Sequence, residues 1–138
     1  MDTLQAEILR RRLPRLGDII ERRRQNAENY KRLLDKLPIF FPQCRNHEFN
    51  TFHLFVIQAD RRNELQTYLK SRGIGTGIHY PIPIHLQPAA ERLGHRLGDF
   101  PMTERQSDRI LSLPIHQFLS ADDQSYVANE IGAFFKHH

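Results

Sequence analysis

The first third of the chain carries apolar residues at helical spacing. Leucine and isoleucine recur every three or four positions from Leu4 to Leu13, which predicts a first helix over 1–13 with a cap at position 2 or 3. Pro14 has no amide hydrogen to continue that helix, although its fixed φ suits the first turn of a new one. A second apolar stripe over 16–37 predicts a longer helix, which ends before Pro38.

A loop and a run of aromatic and β-branched residues follow. Positions 38–50 hold two prolines and no sustained period, which is typical of a loop, with a short strand favoured at 39–41. The run TFHLFVI at 51–57 has the composition of a strand buried on both faces, so it is expected at the centre of a sheet. Within it, His53 is expected to be a hydrogen-bonded core residue. Asp60 is predicted to cap the next helix, and Gly73 to supply its left-handed exit.

Two glycines and closely spaced prolines define the next segment. Alternation over 74–80 predicts a short strand, and Gly75 and Gly77 suggest that another backbone or a ligand approaches it closely. The prolines of 81–88 favour an extended loop, which is followed by a helical turn at 89–93. A helix over 103–110 and an edge strand over 111–115 are then expected. The last helix is predicted to begin at Ser120 and to bury Tyr126, Val127, Ile131 and Phe134 or Phe135.

These elements predict an α+β fold. Helices precede and follow a small sheet of about three strands, which need not be parallel. With 138 residues the chain fits one domain, in which 1–37 form connecting helices and 38–138 form the α+β core.

Composition narrows the classes of protein to consider. Hydrophobic residues make up 39% and charged residues 26%, and no stretch approaches the roughly 18 consecutive apolar residues of a membrane span. The start of the chain has no apolar signal segment, so a soluble, cytoplasmic protein without membrane partners is expected. Cys44 is the single cysteine, which excludes an internal disulfide.

The net charge of +4 is concentrated at one end of the chain. Residues 1–36 hold ten Lys and Arg against six Asp and Glu, and the two signs balance over the remainder. A solvated helix face is the ordinary interpretation of such a basic segment. Binding of nucleic acid or phosphate is the alternative, although a nucleic-acid partner is not expected.

Candidate chemistry centres on His79 and His85, which flank a proline-stiffened loop beside Tyr80. Three interpretations stay open: a binding loop, a metal site, or buried hydrogen bonding at the end of a strand. No metal is expected, because no Cys, Asp or Glu lies at a ligand spacing near the two histidines. The glycines of 73–77 lack the Gly-Lys-Ser/Thr ending of a nucleotide-binding loop, so they are weak as a phosphate cradle.

The chain resembles the DegT/DnrJ/StrS sugar aminotransferases of fold type I. The matching stretches are MDTLQAEIL, ENYKRLL, FHLFVI, RGIGTGIHYPIPIHLQP, GDFPMTE and ILSLPIH, in the order and spacing of the family. The resemblance therefore covers nearly all of the chain, from residue 1 to about 135. It implies the small C-terminal domain of an enzyme that transfers an amino group, usually from glutamate, to a keto-sugar attached to a nucleotide.

The resemblance also implies where substrate is contacted. The family loop that matches GTGIHYPIPIHLQP, at 75–88, lies near the active site at a dimer interface, so His79 and Tyr80 are expected to contact the sugar nucleotide. His85 and Gln87 are further candidates for substrate binding. A homodimer is expected, and the apolar face that holds Leu4 and Ile8 suits such an interface.

Pyridoxal phosphate is the cofactor that the resemblance implies for the whole enzyme. Family members bind it through a lysine of a large N-terminal domain, which is expected to be absent here. The lysines of this chain are Lys31, Lys36, Lys70 and Lys136, and each falls on a predicted helix. No catalytic residue and no cofactor-binding residue is therefore expected in this chain, which alone should be inactive. The alternative hypothesis is a stand-alone truncated relative that acts as a structural or dimerisation module.

Overall fold

The computed structural model describes residues 2–45 and 47–137. Within them the helices are α1 (Thr3–Arg12), α2 (Leu16–Leu34), α3 (Arg62–Ser71), α4 (Pro101–Arg109) and α5 (Ala121–His137). The strands are β1 (Ile39–Phe40), β2 (Phe55–Ala59) and β3 (Ile110–Leu113). Short 3-10 helices cover Leu13–Arg15, Ile84–Leu86 and Pro88–Leu93. Met1, Asn46 and His138, predicted in the first helix, the loop and the chain end, lie outside the described residues.

The sheet is antiparallel, with strand order β1-β2-β3. Its β2 strand is central and β3 lies at an edge, so the predicted α+β fold with about three strands is confirmed. Phe55 pairs with Leu113 and Ile57 with Leu111, which places these buried apolar side chains on one face. Val56 and Ser112 pair on the opposite face.

The core joins the first face of the sheet to helices. Tyr30 and Leu34 of α2, and Ile131 of α5, are fully shielded from solvent and belong to the same apolar cluster as Ile57. Helices α2 and α5 also contact each other directly, and Asn29 donates a 2.6 Å hydrogen bond to Gln124 across that contact. The second half of α2 is thus part of the core that supports the sheet.

The central strand begins later than predicted. The expected strand over 51–57 is extended only from Phe55, because Phe52 adopts a left-handed backbone with φ 47°. One guanidinium nitrogen of Arg23 donates to the carbonyls of Phe52 and His53, each at 3.1 Å, so these groups are satisfied by a side chain. His53 is exposed, and the expectation of a core histidine was wrong.

Two further predictions are corrected at helix positions. Arg61, with φ 58°, rather than Asp60 precedes α3, and the Asp60 carboxylate instead pairs with Arg109 at 2.9 Å. Tyr126 is 47% exposed rather than buried, because its hydroxyl reaches the carbonyl of Arg72 at 3.1 Å. The predicted exit at Gly73 is confirmed by its φ of 75°.

Helix α1 stands apart from the core. The predicted break at Pro14 is a 3-10 turn over Leu13–Arg15, which links α1 to α2 without an extended residue. No described residue of α1 is buried, and its apolar side chains are open to solvent. They are Leu4 at 68%, Ile8 at 48% and Leu9 at 54% exposure.

Candidate functional site

The segment that carries the predicted site residues is attached to β3 at a single point. The expected strand over 74–80 is reduced to one bridge. In it the amide of Gly77 donates to the carbonyl of Ser112 at 3.1 Å, and the amide of Ser112 donates to the carbonyl of Gly77 at 2.7 Å. Ser112 is buried and pairs with Val56 through its other edge. The edge of β3 that faces away from β2 therefore supports the start of this segment.

The ring of His79 attaches this residue to Ser112 of β3. Its Nδ1 lies 2.9 Å from the Ser112 hydroxyl, and its ring packs over Gly77. A Cβ atom at position 77 would lie 2.6 Å from Cε1 of His79, closer than side chains approach one another. The predicted approach of another backbone is confirmed at Gly77 by Ser112, whereas Gly75 has no atom near its missing Cβ. The group that occupies the Cβ space of Gly77 is the imidazole two residues later, which was not predicted.

Tyr80 projects beside this fixed imidazole. Its side chain is 72% exposed, and its ring meets the ring of His79 edge to face with centroids 5.8 Å apart. The peptide bond between the two residues is cis. Tyr80 also lines a shallow cavity of about 430 Å³, whose other walls are Pro81, Ile82, Gln87, Pro88 and Ala89.

Gln87 forms another wall of this cavity. It is half-buried, and its side-chain amide donates to the carbonyl of Ile82 at 3.3 Å, which folds the proline-rich segment back on itself. Tyr80 and Gln87 therefore line one cavity, and His79 lies beside Tyr80 at its ring. Together these side chains carry hydrogen-bonding groups and an aromatic ring.

His85, in contrast to His79, is buried. It is 9% exposed, and its Nε2 lies 2.9 Å from the Glu104 carboxylate of α4. Glu104 also accepts the backbone amides of Gly98 and Phe100. Burial alone would raise the pKa of Glu104, but the bonds from Gly98, His85 and Phe100 together hold that pKa below its ordinary value.

Sequence reasoning missed Ser112 and Glu104 as parts of this site. Both lie in stretches that carry the family resemblance, ILSLPIH and GDFPMTE, but neither stretch has a local signal for a contact with the segment 77–88. Their partners are 33 and 19 residues away along the chain, so only the fold brings them together.

Other features of the described residues lie away from this surface. A mostly apolar cavity of about 920 Å³ runs between α1, α2 and residues 51 and 53. A smaller one of about 280 Å³ is lined by Arg12, Arg15 and Arg22. Among residues 2–45 and 47–137, no three His, Cys, Asp or Glu side chains gather as a metal would need, and no helix is long and apolar enough to cross a membrane.

Comparison with known proteins identifies the family. The profile of the DegT/DnrJ/EryC1/StrS aminotransferase family matches residues 1–132. The chain belongs to this family. The resemblance found in the sequence is therefore confirmed.

Relatives show how much of a family member the chain represents. It is 37% identical to a pleiotropic regulatory protein of Geobacillus stearothermophilus, over 99% of this chain and 38% of the relative. It is 39% identical to dTDP-3-amino-3,4,6-trideoxy-alpha-D-glucose transaminase of Streptomyces venezuelae, over 83% of this chain and 31% of the relative. The chain thus spans roughly a third of the length of these relatives.

A solved family structure has the same fold over the whole chain. The crystal structure of DesV from S. venezuelae in complex with a ketimine intermediate matches with a TM-score of 0.93 and 34% identity. The match covers 100% of this chain and 38% of DesV. The described fold is thus a recurrent part of a larger family architecture.

The contact between His79 and Gly77 gives a direct test of the site geometry. We expect Gly77→Ala to displace the imidazole and break its bond to Ser112, which should change the ring nitrogen signals of His79 in long-range 1H–15N NMR spectra. Ser112→Ala should change the same signals without crowding the ring. Loss of this one hydrogen bond should lower the free energy of unfolding by about 1 kcal/mol.

Gly75→Ala is the matched control, because a Cβ atom there meets no atom within 4 Å. It should leave the His79 signals in place. Unchanged His79 signals in Gly77→Ala would contradict the packing described for this ring.

Proposed function

We propose that this chain is the small C-terminal domain of a sugar-nucleotide aminotransferase and supplies that enzyme with substrate contacts. The whole enzyme would move an amino group, with glutamate as the expected donor, to a keto-sugar attached to a nucleotide. Support comes from family membership and from relatives named as transaminases of nucleotide-linked sugars.

The observation that carries the proposal is the fixed imidazole of His79 beside the exposed Tyr80. The bond to Ser112 leaves the second ring nitrogen of His79 as a hydrogen-bonding group, and the Tyr80 hydroxyl can donate or accept. Sugar hydroxyls and diphosphate oxygens need such partners. The Tyr80 ring adds an apolar face against which a sugar or a base can pack.

Gln87 is proposed as a third contact, because it shares the cavity of Tyr80. His85, predicted as a further contact, is buried against Glu104 and Phe100. In our proposal it anchors the loop 80–88 to Glu104 and Phe100 and does not contact the ligand.

Nucleotide-sugar binding by the chain tests these contacts. We expect dTDP-glucose or UDP-glucose at millimolar concentration to shift the NMR signals of His79 and Tyr80. His79→Ala and Tyr80→Phe should each weaken this binding about threefold to tenfold, the size of one hydrogen bond.

His137→Ala is the control, since His137 lies at the exposed end of α5. Binding should be the same in this variant as in the wild-type chain. Signals of His79 and Tyr80 that stay unmoved at saturating nucleotide sugar would end the proposal.

The lysines of the chain do not fit pyridoxal phosphate, the cofactor that the family resemblance implies. When bound, this cofactor acts as an electron sink for amino transfer. A lysine that holds it needs a desolvated site and a free amine. Lys31 is paired with Glu28 at 2.6 Å and lies 5.4 Å from the centre of the Phe52 ring. The other lysines are exposed to solvent, so they lack a desolvated site; they are Lys36, Lys70 and Lys136.

We therefore infer that the chain alone holds no pyridoxal phosphate. After incubation with the cofactor and reduction with borohydride, mass spectrometry should find only scattered labelling below one equivalent. One lysine labelled stoichiometrically at micromolar cofactor would overturn this inference.

The exposed apolar face of α1 favours a second role, dimerisation, which also fits a stand-alone structural module. Leu4, Ile8 and Leu9 are about half exposed or more, and Leu9 also lines the apolar cavity between α1 and α2. Contiguous apolar surface of this kind is typical of an interface.

Self-association tests this role. We expect sedimentation equilibrium to find a dimer at micromolar concentration, and Ile8→Glu to raise its dissociation constant at least about tenfold because a carboxylate would be buried. Leu93→Glu changes an exposed apolar residue outside α1 and should have no effect. A wild-type chain that stays monomeric at hundreds of micromolar would exclude dimerisation through this face.

A further inference from the structure

The segment 80–88, which carries Tyr80 and Gln87, is held by one buried side chain. Within 80–88, His85 alone is buried, and its ring lies 4.8 Å from the ring of Phe100. Its hydrogen-bond partner Glu104 belongs to α4, and only 14% of the Glu104 side chain is exposed. The segment is therefore connected to α4 through a contact that is largely shielded from water.

Glu104 joins three parts of the chain at one carboxylate. It accepts the amide of Gly98 at 2.9 and 3.0 Å through its two oxygens, and the amide of Phe100 at 3.3 Å. These bonds and that of His85 lower the pKa of Glu104 despite its burial, so the group is ionised at neutral pH. An ionised carboxylate can only accept, and therefore Nε2 of His85 carries the proton.

Hydrogen bonds within the segment join the residues on the two sides of His85. The amide of Leu86 donates to the carbonyl of Pro83 at 2.9 Å, and Gln87 reaches back to Ile82 at 3.3 Å. Residues 82–87 are thus bonded to one another around His85. At the other end, Gly77 and His79 are fixed on Ser112. Tyr80 lies between these two attachments.

We propose that Glu104 is a positioning residue for the nucleotide-sugar surface. By holding His85, it fixes residues 80–88 and so sets the places of Tyr80 and Gln87, neither of which it touches. This inference rests on the proposed function of the same surface. A segment that is already ordered has less freedom to lose when ligand binds.

Removal of the carboxylate should loosen this segment selectively. In Glu104→Ala we expect the hydrogen-bonded amides of 80–88, those of Leu86 and Gln87, to exchange with deuterium at least about tenfold faster, while those of β2 keep their rates. The ring-nitrogen signals of His85 should lose the signature of an Nε2–H bonded to a carboxylate and approach the averaged signals of a solvated imidazole. The affinity for dTDP-glucose should fall about threefold to tenfold.

Glu104→Gln keeps a carbonyl oxygen that can accept, so it should retain part of the protection and of the His85 signature. It also keeps the test usable if Glu104→Ala does not fold. Glu91→Gln makes the same charge change at an exposed position of the neighbouring 3-10 helix and should match the wild-type chain.

The outcomes separate this inference from the function on which it rests. Unchanged exchange of 80–88 in both Glu104 variants, or an equal rise in β2, would overturn the positioning role. So would faster exchange of 80–88 with undiminished affinity for dTDP-glucose. If the wild-type chain binds neither dTDP-glucose nor UDP-glucose, the proposed function fails and the positioning role falls with it, whatever the exchange rates are.

Discussion

Ser112 is the point on which both the core and the candidate site depend. Its backbone pairs with Val56 on one side and with Gly77 on the other, and its hydroxyl meets the ring of His79. Neighbouring residues Leu111 and Leu113 point into the apolar core. Because side chains alternate along a strand, one short stretch of β3 faces the core with its leucines and the site with its serine.

This arrangement explains how so irregular a segment can hold His79 and Tyr80 in defined places. Residues 77–88 contain no strand and only one turn of 3-10 helix, yet their polar groups find partners in β3, in α4 and within the segment. Prolines restrict the backbone between these partners and reduce the entropy that ordering costs. The site thus gains its order from contacts at its two ends rather than from regular secondary structure.

The sequence carried enough information for the helices and for the central and edge strands of the sheet. Helical periodicity and turn residues act locally, and they located α2, α5 and the exit at Gly73 well. The start of β2 was misplaced because the guanidinium of Arg23, about 30 residues away, satisfies carbonyls that a strand would otherwise use. The composition of 51–57 cannot reveal that a distant side chain, rather than a neighbouring strand, bonds these carbonyls.

The two histidines of the proline-rich loop illustrate the same limit for the site. In sequence, His79 and His85 are alike, because each stands beside a bulky residue in an extended segment. The fold gives them opposite surroundings, since His79 is exposed and meets a serine of β3, whereas His85 is buried and meets a carboxylate of α4. A carboxylate that also accepts two backbone amides is costly to move, because each amide would then need another partner. The buried histidine is therefore suited to hold the loop, and the exposed one to meet a ligand.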